Sequence, residues 1–157
     1  KDEKPTLKAI YPEVYTGRAD MYVYFYIKGL RLLREDGFLA FITSNKFMRA
    51  AYGGKLRIFL KKNTSLHAVI DFGDLPLFDA TAYPTILLTH KRQPTDIAKF
   101  HALSVETLEV LLRMPQEIDR LAWMLPQHSL ADSGWALVRE EILFLMTKLR
   151  NAGIPLG

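Results

Sequence analysis

Phe38-Leu39-Ala40-Phe41-Ile42-Thr43 is a continuous apolar run of strand length that stops at Ser44-Asn45-Lys46. A run with no polar residue alternating through it reads as a strand buried on both faces, the pattern of a parallel sheet. Gly53-Gly54 then opens a short helix with Leu56, Phe59 and Leu60 inward, and residues 66–72, centred on Ala68-Val69-Ile70, make a second strand. Strand, helix, strand is a right-handed crossover unit, so these two strands run in one direction. The next connection differs. Residues 73–84 hold Gly73, Asp74, Pro76, Asp79 and Pro84 without helical period, and Thr85-Ile86-Leu87-Leu88-Thr89 forms a third strand. A parallel return needs a crossover, usually a helix. The third strand is therefore expected to run against the other two, giving an α/β sheet of two parallel strands with one reversed strand near an edge.

Outward from this unit, Asp20 suits a helix N-cap, and residues 21–34 contain no proline and only Gly29. Lys28, Arg31 and Glu35 mark a wet face; Tyr22, Phe25, Tyr26, Leu30 and Leu33 fill the rest, so the helix is expected to be buried on most of its circumference. Its aromatic first turns fit core packing or a ligand-facing role. Gly37 sits where a helix-ending glycine belongs. Past Lys91-Arg92, residues 98–103 read as a short strand, and Ser104 as the cap of a helix over 105–113 with Glu106 and Glu109 near its positive end. Residues 115–133 are mixed, with Trp123 and Met124 as burial candidates. Val138, Ile142, Leu145, Met146 and Leu149 form a helical apolar stripe that Gly153 closes. Residues 1–100 thus form an α/β unit and residues 101–157 a mainly helical segment.

Composition narrows the function classes. The 157 residues are 49% hydrophobic and 24% charged, the mixture of one globular domain or a domain with an appendage. With no cysteine, the chain has no disulfide, Cys-based zinc site or thiol nucleophile of its own. His67, His90, His101 and His128 show no metal-ligand spacing. No apolar run approaches the roughly 20 residues of a spanning helix, and no signal peptide opens the chain; a cytoplasmic protein without membrane contact is expected. A formal charge of +4 permits a polyanionic partner without demanding one. The chain opens on Lys1 and ends on Ile154-Pro155-Leu156-Gly157 just after a helix, so both ends are expected to be cuts in a longer protein.

Ligands of open α/β sheets bind beyond the carboxyl ends of the parallel strands. Those ends carry Ser44-Asn45-Lys46 and the loop after Phe72 with its Leu77-Phe78-Asp79. Phe78 either stacks on a planar ligand or folds back to plug the core. Lys46, Arg49, Lys55, Arg57, Lys61 and Lys62 share a stretch with no acidic residue. Lys61 and Lys62 read as a solvated helix face, while Lys46 and Arg49 lie nearer the strand end and suit phosphate contact. Gly53-Gly54 matches neither phosphate-loop nor dinucleotide glycine spacing.

The strings Asp20-Met21-Tyr22-Val23-Tyr24-Phe25, residues 36–47, Asp71-Phe72-Gly73, Leu77-Phe78 and Pro84-Thr85-Ile86-Leu87-Leu88 occur in this order. Taken together they resemble the adenine-specific, amino-group DNA methyltransferases of type II restriction–modification systems, including the large fused restriction–methylation enzymes. The resemblance covers residues 10–92; residues 104–157 resemble the segment leading into the target-recognition domain of such enzymes. It implies the C-terminal half of a Rossmann-like methyltransferase sheet, followed by a helical connector from residue 101. It also implies S-adenosylmethionine as methyl donor, adenine in double-stranded DNA as acceptor, and a prokaryotic cytoplasm. Phe25 matches the aromatic placed against the cofactor's adenine, Asp20 the polar residue opening that helix, and Phe78 the aromatic that stacks on the extruded target base. Asn45, Lys46 and Arg49 are the candidate DNA contacts. Extruding the base costs a few kcal/mol, of which a face-on aromatic returns roughly 1–3 kcal/mol.

The family's glycine-rich cofactor loop and Asn-Pro-Pro-Tyr tetrapeptide are not in this sequence. The cofactor site is thus expected to be incomplete here and the chain alone inactive. The alternative is a non-catalytic α/β nucleic-acid-binding or interaction module; a methyltransferase acting on RNA or protein is a third reading. One side of the 38–43 strand is expected to lack a ladder partner, with no proline or charge to protect it. Either the chain self-associates there or residues 1–19 fold across the gap.

Overall fold

The computed structural model describes residues 3–79 and 83–152. Five strands form one sheet: β1 (Phe38–Ser44), β2 (Ser65–Asp71), β3 (Pro84–His90), β4 (Lys99–Ser104) and β5 (Trp123–Pro126), in the order β1-β3-β2-β4-β5. β3 is antiparallel to both β1 and β2, which therefore run in one direction, as the connections require. The reversed strand is inserted between the parallel pair, so β1 and β2 share no ladder. Its pairing with β1 is regular from Phe38↔His90 to Ser44↔Pro84. β4 is parallel to β2, and β5 antiparallel to β4. The division expected at residue 100 falls inside β4. Phe100, Ala102, Leu125, Leu130 and Trp135 share one core with Val23, Leu39, Leu56 and Leu87.

Helices α1 (Lys4–Ile10), α2 (Met21–Leu32) and α3 (Gly54–Asn63) precede the second strand; α4 (Leu108–Leu121) and α5 (Glu140–Ala152) follow the fourth and fifth. α2 and α3 cover one sheet face, with Val23, Tyr26, Ile27, Leu30, Leu56 and Leu60 all inward. α4 covers part of the other, Val110, Leu111 and Met114 packing against Ile70 and Leu103.

Several local expectations are corrected. Val105 donates its N–H back to Asp71 O, prolonging the sheet, so Ser104 caps nothing; Thr107 accepts from Val110 N and starts α4, which continues through Pro115. α2 ends at Leu32, and the left-handed residue before β1 is Asp36 (φ 59°), not Gly37. Trp123 is half-buried and Met124 is exposed. Ile142, Leu145 and Leu149 of α5 are exposed rather than packed, Val138 precedes the helix, and Met146's side chain and Gly153 lie outside the described residues. Phe25 breaks the expected burial of α2.

The basic run divides by where it points. Arg57 is only 3% exposed. Its guanidinium donates to Phe47 O (2.6 Å), Ala50 O (2.9 Å), Asp132 O (3.0 Å) and Ser133 O (3.1 Å). Lys61 likewise turns in, to Leu130 O (2.6 Å) and Asp132 Oδ1 (3.1 Å). A buried guanidinium persists only where its donors are used, and here they are used on four backbone carbonyls, of which Ala50 O also accepts from Gly53 N. Gln127 joins the same strap, donating to Thr64 O and accepting from Leu66 N. Gly53 is needed by packing, because a Cβ there would strike the Phe47 backbone.

Residues 4–19 do not cross the open side of β1. They pack on α2, where Tyr11 meets Tyr24 and Arg31 donates to Ile10 O. Among the described residues no strand pairs with the outer edge of β1. No described helix is long and apolar enough to cross a membrane.

Arg57→Leu removes four hydrogen bonds, with only Ala50 O keeping a second donor in Gly53 N, and is expected to lower the unfolding free energy by about 3 kcal/mol, and Arg57→Lys by somewhat less. Urea midpoints of the purified chain check this; an unchanged midpoint in the leucine variant would mean that the four bonds carry no net stabilisation.

Candidate functional site at the carboxyl edge of the sheet

α2 runs antiparallel to β1. Gly29 lies against Leu39 and Phe41, Tyr26 bonds Thr43 Oγ1 (2.8 Å), and Tyr22 reaches Phe47 beyond the strand end (ring centroids 6.4 Å). Phe25, one turn before Gly29, therefore stands level with the carboxyl end of β1, and its ring is 54% exposed. Asp20 has the extended backbone of an N-cap, but its carboxylate does not cap. It accepts instead from Tyr52 Oη (2.9 Å), which shares a 2.8 Å hydrogen bond with Tyr22 Oη. The acid opening α2 is thus tied to the connection after β1. Tyr52 was not legible as a site residue, because its partners lie 30 and 32 positions away.

Asn45 is 5% exposed, and its amide donates to Asp71 Oδ1 (2.8 Å). This corrects its expected DNA contact: the side chain is spent inside the protein. Lys46 and Arg49 are exposed and line a cavity of about 380 Å³ with Asn45, Ala50 and Tyr83. The Lys46 ammonium lies over the Tyr83 ring, 5.9 Å from its centroid. Tyr83 was also missed, since the aromatic before Pro84 reads simply as loop. Arg49 forms a 3.6 Å ion pair with the buried Asp71 carboxylate. Beyond that pair a second cavity of about 450 Å³ is lined by Met48, Asp71, Ser104 and Trp135, among others.

The two readings of Phe78 are separated by its neighbours. Gly73 turns the chain out of β2 in the left-handed region (φ 55°). Leu75 is buried against Ile70 and Leu103, and Leu77 packs partly beside them. These leucines fill the core, and Phe78 is left 52% exposed. The structure thus brings Asn45, Lys46, Arg49, Asp71 and Tyr83 into contact, and sets Phe25 and Phe78 on the same edge.

The phenols of this region titrate late. Burial raises Tyr22 above its ordinary 10.0, with the Tyr52 hydrogen bond and Asp20 adding to it. Burial likewise raises Tyr26, partly offset by Thr43. A pKa higher in the folded than in the unfolded state stabilises the fold fully below the unfolded value, and that stabilisation is lost as pH rises above it. The unfolding free energy is expected to fall as pH climbs past about 10, and the double substitution Tyr22→Phe/Tyr26→Phe to flatten that fall. Denaturation midpoints across this range measure it.

Residues 1–78 match the family described as Eco57I restriction-modification methylase. The type II methyltransferase M.BstVI of Geobacillus stearothermophilus is 40% identical over 78 residues, covering 48% of this chain and 14% of that protein. The type IIG restriction endonuclease BpuSI superposes with a TM-score of 0.63 at 14% identity, over 96% of this chain and 21% of that one. A putative class I S-adenosylmethionine-dependent methyltransferase of Listeria monocytogenes gives 0.54 at 20% identity, over 77% of this chain and 39% of that one. The chain thus spans about a seventh of the curated relative's length, and its mixed sheet has the fold of the class I methyltransferases. On these grounds residues 1–78 belong to the Eco57I restriction-modification methylase family.

Proposed function

We propose that the chain is part of a site-specific DNA methyltransferase of a restriction–modification system, moving a methyl group from S-adenosylmethionine to the exocyclic amino group of adenine. The observation that carries this reading is the pair of half-exposed phenylalanines, Phe25 and Phe78, at a carboxyl edge that also presents Lys46 and Arg49. Large aromatic rings left open to water are costly unless something planar covers them.

The residues fit part of a cofactor site. Phe25 offers an uncovered ring to the adenine of S-adenosylmethionine, and the exposed Asp20, held by Tyr52, offers an oriented carboxylate beside it. When bound, the cofactor supplies the electrophilic methyl group. Phe78 stacks on the extruded target base, and Lys46 and Arg49 neutralise backbone phosphates. Asn45 serves from inside, holding Asp71. With no Asn-Pro-Pro-Tyr in the sequence, the chain by itself is expected to be inactive. Residues 101–157 would lead toward a target-recognition domain, and duplex DNA in a prokaryotic cytoplasm would be the setting.

In the whole protein, Phe78→Ala is expected to slow methylation and weaken DNA binding by a factor corresponding to about 1–3 kcal/mol of lost stacking, with Phe78→Trp retaining much of both. Phe25→Ala should weaken the cofactor instead. Transfer of labelled methyl to duplex DNA, with mass analysis of the methylated base, measures all three; a product methylated on cytosine, or full activity in the Phe78→Ala variant, would refute the assignment.

The open edge of β1 is expected to make the isolated chain self-associate, since unpaired backbone groups on an apolar strand seek a partner. Sedimentation velocity decides; a monomer at all concentrations would show that the edge tolerates water.

A further inference from the structure

We propose that Asp71 is a positioning residue that locks the loop carrying Phe78 to the loop carrying Lys46 and Arg49. The inference rests on the methyltransferase reading for its functional consequence, and on geometry alone for its structural one.

Asp71 ends β2 and is only 6% exposed, an unusual place for a carboxylate. Such a group is retained where its oxygens are used. Oδ1 accepts from two loops at once: the Asn45 amide (2.8 Å) and the Gly73 backbone N–H (3.1 Å). Oδ2 faces the Arg49 guanidinium at 3.6 Å. The Asp71 carbonyl meanwhile accepts from Val105 N (2.8 Å), holding the residue in the sheet. One side chain therefore fixes the turn at Gly73, from which the chain leads to Phe78, and the segment after β1.

The two oxygens differ in what they can release. Asn45 and Gly73 are held at hydrogen-bond distance, and Asn45 is itself buried. Arg49 is 74% exposed, and its separation from Oδ2 exceeds the roughly 2.7–2.9 Å of a tight charge-assisted hydrogen bond. It is tethered near the cavity mouth rather than clamped, and can exchange the carboxylate for a phosphate while Oδ1 keeps its partners. Asp71 touches neither cofactor nor base; it acts through Gly73, Asn45 and Arg49.

Three variants of the whole protein test this: Asp71→Ala, Asp71→Asn, and the exchange Asn45→Asp/Asp71→Asn, which preserves the amide–carboxylate pair in reversed order. The first readout is hydrogen–deuterium exchange. Asp71→Ala should speed exchange about 10- to 100-fold in residues 44–50 and 72–78, the loss expected for bonds to a charged acceptor, while β4 stays protected. The exchange variant should restore protection. The second readout uses duplex DNA with 2-aminopurine at the target adenine: Asp71→Ala should lose most of the extrusion fluorescence and lower kcat about 10-fold or more. S-adenosylmethionine affinity should change less than about twofold. Asp71→Asn should fall between the alanine variant and wild type. Unchanged loop exchange in Asp71→Ala, or loss of β4 protection along with the loops, overturns the positioning role. Altered loop exchange without any effect on extrusion or kcat overturns its functional part. A wild-type protein that neither methylates nor extrudes adenine refutes the methyltransferase reading, while the exchange data still decide whether Asp71 orders the loops.

Discussion

The carboxyl edge depends on one buried cation. Arg57 sits in the first half of α3, and its guanidinium makes four hydrogen bonds to carbonyls from two distant segments: Phe47 and Ala50 after β1, and Asp132 and Ser133 after β5. Bringing a guanidinium out of water costs several kcal/mol. That cost is offset because all four acceptors are backbone carbonyls outside the sheet ladder. Without the cation, the turn over residues 45–53 would lose its ties to Phe47 O and Ala50 O. With it, Asn45 faces Asp71 and Arg49 faces the cavity. Burial pulls Arg57 below its usual pKa, yet an arginine keeps its proton at any physiological pH, so the clamp does not switch.

The inserted strand is the second constraint. Because β3 pairs on both sides, its first residues lie between the ends of β1 and β2. Pro84 O accepts from Phe72 N, and Tyr83 O from Asn45 N (2.6 Å). Proline at a strand's first residue forfeits little, because it needs only to accept there. The return strand thus welds the two carboxyl-end loops together from below, and Asp71 does the same from the β2 side. This is why a connection of low regularity, residues 73–79, can still present a particular side chain outward: Gly73 sets its exit, and Leu75 and Leu77 sink into the second core.

Much of this was legible in the sequence, and what was not has a common cause. Strand directions followed from the presence of a helix in one connection and its absence in the next. Phe78, Lys46 and Arg49 were singled out because they follow strand ends, and Phe25 because it sits in the aromatic first turns of α2 and matches the family's cofactor aromatic. Lys61 was misread as surface and Arg57 left undistinguished in the basic run, since in sequence they differ little from Lys55 and Lys62; acceptors of both lie about 70 residues downstream. Asn45 was assigned outward because polarity at a strand end reads as exposure until its partner, 26 residues on, is placed. In each failure a side chain or backbone group is satisfied at long range, which neither periodicity nor capping rules register.

The exposed apolar surface is of two kinds, and the difference separates ligand from partner. Phe25 and Phe78 are single half-exposed rings on the carboxyl side of the sheet, each of a size to cover one flat molecule. Phe38 and Ile42, exposed by 53% and 52%, lie on one face of β1 with Ala40 between them, beside the unpaired edge of the same strand. Open backbone donors and acceptors along an apolar strand are complementary to a further strand in the plane of the sheet, whereas the exposed face beside them needs a covering layer. The stacked Phe38–His90 pair (ring centroids 4.3 Å) covers part of that face at its amino end. The carboxyl end is left open toward Ser44, next to the loops that hold the site. A strand pairing along the whole of β1 would have one of its ends level with Ser44, beside the loops that hold the proposed site.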